Sequence, residues 1–151
     1  TIECGGSFED VADRIAQDGL ERYFTAEELF APESRDYDIE LFFNPVRIEM
    51  HQASTIACGE SGASGFDITL AMDIEHHNFG LVTPDTLLGW INPAAMDKMA
   101  AFDAERSNHF KQLYREQDGA LYPRRNQKLF MITSNLDIAR SDCLWYAALA
   151  E

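Results

Sequence analysis

Basic residues are scarce in this 151-residue chain: 12 Lys and Arg stand against 26 Asp and Glu, a formal net charge of −14. Phosphate recognition rests on Lys and Arg, so the shortage argues against bare nucleic acid and anionic membrane surfaces as partners. Cysteine is scarce too. Cys4, Cys58 and Cys143 lie far apart, with no CxxC pair and no metal-ligand spacing. That pattern argues against a disulfide framework and predicts inert thiols in a reducing, cytoplasmic setting. No apolar run approaches the ~18 residues that a membrane span requires. No leader-like segment is visible, and Thr1 leaves open whether the start is native, processed or truncated.

What is present is a balanced globular composition, with 46% hydrophobic residues in 17.1 kDa. It predicts a single domain over residues 1–151 with one real core. Ser7 and Asp10 mark a helix start, and an apolar stripe through Phe8, Val11, Ala12, Ile15 and Ala16 runs to Asp18-Gly19. Thr25-Ala26-Glu27-Glu28 is a capping-box pattern for a short second helix that Pro32 ends. Period two follows. Tyr37, Ile39, Leu41 and Phe43 alternate with Asp38, Glu40 and Phe42, and parity shifts to Val46, Ile48 and Met50 after Asn44-Pro45. The shift requires a turn or bulge there.

Residues 57–65 read as a polar glycine-rich hairpin loop, and Phe66–Glu75 as the cleanest strand. Thr83-Pro84 and Asn92-Pro93 both resemble helix starts, the second opening a long helix to about Gln117. A basic loop, Arg124 to Lys128, precedes a strand from Leu129 to Thr133. Ser134 with Asp137 then opens a last helix that carries Trp145 and Tyr146. The order ααβββααβα implies an α+β domain, a small and mainly antiparallel sheet of about four strands packed on helices.

Three groups of residues could carry chemistry. On a strand, Asp73, Glu75 and His77 share one face, where they could bind a divalent metal or act as acid and base. Successive alternate residues lie about 6.5 Å apart, too far for one ion without a bend or ligands such as His51 or His109. Gly59-Glu60-Ser61-Gly62-Ala63 comes within one residue of a nucleophile elbow, but the elbow needs a following helix and here a strand is expected. Arg124, Arg125 and Lys128 could clamp a phosphate or carboxylate. No cofactor motif occurs, and no cofactor is expected.

The acidity has a place. Residues 1–75 carry 17 acidic and 4 basic residues, against 9 and 8 in the remainder. Glu9, Asp13, Glu27, Glu28, Glu33, Asp36, Asp38 and Glu40, with Phe42 as an apolar anchor, form a candidate recognition patch. The expected function is a non-catalytic acidic protein that docks on a basic surface of another protein. A nucleic-acid-handling enzyme offers such a surface, and its inhibitor would be of the immunity, anti-restriction or anti-CRISPR type. The alternatives are a small metal-dependent or acid–base enzyme built on Asp73, Glu75 and His77, and a structural or assembly protein.

Overall fold

The computed structural model describes residues 10–27 and 41–149. The chain divides into two compact units, Thr1–Ile39 and Glu40–Glu151, where the sequence by itself suggests one. The first unit contributes one described helix, α1, Asp10–Thr25. The helix does not stop at Asp18-Gly19. A lone glycine costs a helix only about 1 kcal/mol, too little to end one with an apolar stripe on both sides. Thr25, expected to cap a second helix, instead closes the first, its Oγ1 donating to Glu21 O at 2.8 Å. Ser7 and the body of the expected second helix lie outside the described residues.

The second unit is built from ten described strands: β1 Val46–Met50, β2 Ile56–Gly59, β3 Ile68–Ala71, β4 Leu81–Val82, β5 Gly89–Ile91, β6 Met99–Phe102, β7 Tyr114–Gln117, β8 Ala120–Pro123, β9 Gln127–Phe130 and β10 Trp145–Leu149. Two short helices accompany them, α2 Phe110–Leu113 and α3 Leu136–Ser141. One sheet has the order β4-β9-β10-β1-β6 and the other β2-β3-β5-β8-β7. Every pairing is antiparallel except β2 with β3. The class is mixed α/β and the sheets mainly antiparallel, as expected. Two five-stranded sheets replace the expected single sheet of about four, and the order ααβββααβα does not hold.

The departures have physical causes. The long helix from Asn92 to Gln117 is absent. Asn92 does cap, accepting from Ala94 N at 3.1 Å, but only a 3₁₀ segment, Pro93–Lys98, follows. Met99–Phe102 then pairs along its whole length with β1, from Met50↔Met99 to Arg47↔Phe102. The three-residue spacing of Met96, Met99 and Phe102 imitates a helix, and strand pairing overrides the helix preference of Ala100 and Ala101. At the C-terminal end, Asn135 rather than Ser134 caps α3, its Oδ1 accepting from Asp137 N at 3.1 Å and Ile138 N at 3.3 Å. Trp145 and Tyr146 open β10, which lies between β1 and β9. Ala147 and Ala148 are both buried, so the strand shows no alternation.

The expected strand Phe66–Glu75 shrinks to Ile68–Ala71, all four residues buried. The glycine-rich stretch yields β2, and the loop after it joins parallel strands rather than a hairpin. Tight packing fixes one glycine. A Cβ on Gly89, at φ +153°, would stand 2.3 Å from Thr69 O, so β5 can lie against β3 only without a side chain there.

Both sheets feed one core. Ile48, Leu129 and Trp145 from one sheet share a buried cluster with Ile68, Leu121 and Tyr114 from the other. The Tyr114 and Trp145 rings meet edge to face, centroids 6.0 Å apart. Burying each such side chain contributes roughly 1.5–3 kcal/mol.

Candidate functional site

The strand face expected for Asp73, Glu75 and His77 does not form. β3 ends at Ala71, Asp73 stands at the start of a 3₁₀ turn, Ile74–His77, without a capping bond from its side chain, and Ile74 takes the core position. Glu75 Oε1 accepts from Ser134 N at 2.5 Å, a loop-to-loop tie. Among the described residues no group of three or more His, Cys, Asp or Glu is placed to hold a metal ion. His51 Nδ1 accepts from Ala53 N at 3.2 Å, and His109 is engaged elsewhere. Ser61 lies in the loop between β2 and β3, where a strand follows instead of the helix that a nucleophile elbow needs.

Of the expected acidic patch, Glu9, Glu28, Glu33, Asp36, Asp38 and Glu40 lie outside the described residues. Asp13 lies on α1. Glu27 follows that helix and is exposed. The helix is amphipathic in an unusual way. Ala12 at the centre of its apolar arc is buried, yet Val11 and Ile15 on one flank and Leu20 and Phe24 on the other stay exposed, Phe24 at 78%. Asp10, Asp18 and Glu21, with Arg14 among them, mark the opposite arc, and Asp13 falls beside Leu20 and Phe24.

Phe42 changes its part. The alternation predicts Leu41 and Phe43 inside and Phe42 outside with the acids; the structure shows the reverse. Phe42 is half-buried, stacked on Phe130 with centroids 4.9 Å apart, and Phe130 stacks in turn on Tyr146 at 5.7 Å. Leu41 and Phe43 are exposed at 68% and 73%. Asn44, at φ +47°, bends the chain ahead of β1, and residues 41–45 join no strand.

A cleft of about 700 Å³ opens at the ends of β1, β6, β9 and β10. Pro45, Val46, Phe102, Leu113 and Tyr146 supply apolar wall, and Asp103, Glu105, His109, Gln112 and Arg125 stand around them. The link between β6 and α2 forms one lip. His109 Nε2 lies 2.6 Å from Asp103 Oδ2, and its Nδ1 lies 3.2 Å from Gln112 Oε1. The hydrogen bonds from Asp103 and Gln112 raise the imidazole above its ordinary range. The same bond from His109, helped by Ser107 N, holds Asp103 below the usual carboxylate range.

Arg47 also lines the cleft, but its guanidinium is spent on Asp142, reaching both the carboxylate and the carbonyl, and lies 3.4 Å from Glu49. Gln127 at the floor is fully buried and bonded at both ends of its amide, to Tyr114 and Leu113. Asp103 and Gln112 escape the sequence reading because the expected long helix absorbs them, and His109 enters it only as a possible extra metal ligand. One signal was available: between Phe102 and Phe110 only Ala104 interrupts a polar run, a gap that a core-facing helix does not carry.

Comparison with models of protein families, with curated proteins and with solved structures found no match to the chain.

Proposed function

We propose that the chain is a non-catalytic binding protein whose acidic N-terminal region docks on a basic surface of another protein. One observation carries this reading: α1 leaves Val11, Ile15, Leu20 and Phe24 exposed on a helix that also carries Asp10, Asp13, Asp18 and Glu21. An apolar stripe flanked by charge is the form in which a helix enters a groove on its partner, the side chains anchoring and the charges steering. Residues 1–40 hold 12 acidic and 3 basic residues, so the same region carries most of the negative field. Carboxylates on such a helix can take the places of phosphates on a nucleic-acid-handling enzyme, which would make the chain its inhibitor.

The test uses the full chain, immobilised at low salt and exposed to lysate of the source organism. Asp13→Lys/Glu21→Lys and Ile15→Ser/Leu20→Ser run in parallel, with circular dichroism confirming that the helix persists. The expected result is a basic protein that the wild type retains, a salt step releases, and both variants lose. Retention that neither variant alters overturns the proposal.

A further inference from the structure

We infer that the cleft at the strand ends binds a small organic anion, an acidic head on an apolar body, with Arg125 and Gln112 holding the head. This does not rest on the acidic helix. The volume, about 700 Å³, is that of a small-molecule site. The wall from Pro45, Phe102, Leu113 and Tyr146 suits an apolar body.

The class of head follows from sorting the polar groups by what they already bond. Arg47 is committed to Asp142 and Glu49, and Gln127 to Tyr114 and Leu113. Asp103 is committed to His109 and to Ser107 N at 2.8 Å. His109 has a partner on each ring nitrogen, Asp103 on one and the Gln112 Oε1 on the other. A ring that donates at both positions is an imidazolium, and an amide that gives its oxygen to that ring presents its NH₂ elsewhere.

Among the described residues two sets of exposed side-chain donors therefore remain at the cleft, the Gln112 NH₂ and the Arg125 guanidinium, while the Arg47 Nε, without a hydrogen bond, is buried 3.4 Å from Glu49. Arg125 is exposed and makes no hydrogen bond or ion pair with any described residue. A guanidinium and an amide NH₂ are donors only, and they match a carboxylate or a related oxyanion. Among the described lining residues Glu105 is the carboxylate not bonded to His109, an exposed group on the lip that weakens an anion's binding and rejects a second negative charge.

The experiment titrates the ¹⁵N-labelled full chain with decanoate and, separately, with decyltrimethylammonium, which has the same tail and the opposite charge. Decanoate is expected to shift the amide resonances of Gln112, Arg125 and Ala147 saturably, and the cation is not. Arg125→Ala should weaken decanoate about tenfold, the loss of a charge-assisted hydrogen bond. Arg125→Lys should recover part of it, and Glu105→Gln should tighten it. Equal affinity for the two probes overturns the inference. So do shifts confined to α1, an Arg125→Ala variant that binds as the wild type does, or no saturable shift with decanoate.

Discussion

Tyr114 and Gln127 join the two sheets through their shared interior, the Tyr114 hydroxyl donating to Gln127 Oε1 at 2.9 Å. Trp145 Nε1 donates to the same hydroxyl at 2.9 Å, and Gln127 Nε2 donates to Leu113 O at 3.1 Å. Each of these buried side chains is thereby bonded, and burial pushes the Tyr114 phenol far up while the Trp145 bond opposes the shift. Tyr114→Phe keeps the ring contacts but orphans the Trp145 N–H and a Gln127 lone pair. The expected cost is on the order of 1–3 kcal/mol for each orphaned group. Urea unfolding should show a lower midpoint at an unchanged slope.

Two glycines should respond to alanine with opposite signs. A Cβ on Gly89 would strike the backbone of Thr69, Leu70 and Ala71, which the sheet holds in place. Gly89→Ala should therefore cost about 3 kcal/mol or more, at the upper end of overpacking effects. A Cβ on Gly19 meets nothing within 4 Å, in the middle of α1. Gly19→Ala should raise the helicity of α1 and stabilise it by about 0.5–1 kcal/mol. Thermal unfolding of the first and far-ultraviolet dichroism of the second check the pair.

The Asp103–His109 bond should be strongest in mildly acidic solution. Asp103 is depressed below its ordinary 3.8, so its contribution is present above that value and lost as pH falls through the folded pKa. His109 is raised above its ordinary 6.5, so its contribution is present below that value and lost as pH rises through the folded pKa. Glu105 and Arg125 are the charged groups that line the same cleft beside the pair and Arg47. Proton resonances of the His109 ring should titrate above the ordinary 6.5 of an imidazole. In Asp103→Asn their midpoint should move back down toward that value, and an unmoved midpoint would show that the pair is not coupled.

Asn78 acts as a clamp on the loop after β9. Its Nδ2 donates to Ile132 O at 3.2 Å and its Oδ1 accepts from Ile132 N at 2.8 Å, the two bonds a neighbouring strand would make. Beside the clamp Phe79 and Met131 sit at φ +58° and +56°, a region that bulky residues enter only when their surroundings hold them. Asn78→Ala should cost roughly 1–3 kcal/mol through the two bonds lost at Ile132. Hydrogen exchange at the Ile132 amide should speed up more than at Leu129 in β9.

How far the sequence could be read depended on whether a segment's neighbours were water or other strands. Val46, Ile48 and Met50 were legible as a strand, since Arg47 and Glu49 between them keep contact with solvent. The alternation at Phe66–Glu75 was real, but β3 lies inside its sheet and buries Thr69 as fully as Ile68. The acids at its end could then leave the strand without loss. Leu41 to Phe43 exchanged faces because the Phe42 ring gains a stack on Phe130, a residue 88 positions along the chain.

By itself the sequence determined the quantities that add residue by residue. These are the negative charge and its concentration toward the N-terminus, the mixed class, the cap at Asn92 and the bend at Asn44. Only the tertiary structure decided what depends on pairing across the chain. It made strands of Met99–Phe102 and Trp145–Leu149, broke Asp73, Glu75 and His77 out of a common face, and gathered Asp103, His109, Gln112 and Arg125 at one cleft. The reason is energetic. Local helix propensities differ by tenths of a kcal/mol per residue. Burying one large side chain between two sheets contributes roughly 1.5–3 kcal/mol, so long-range partners outvote local preference wherever the two disagree.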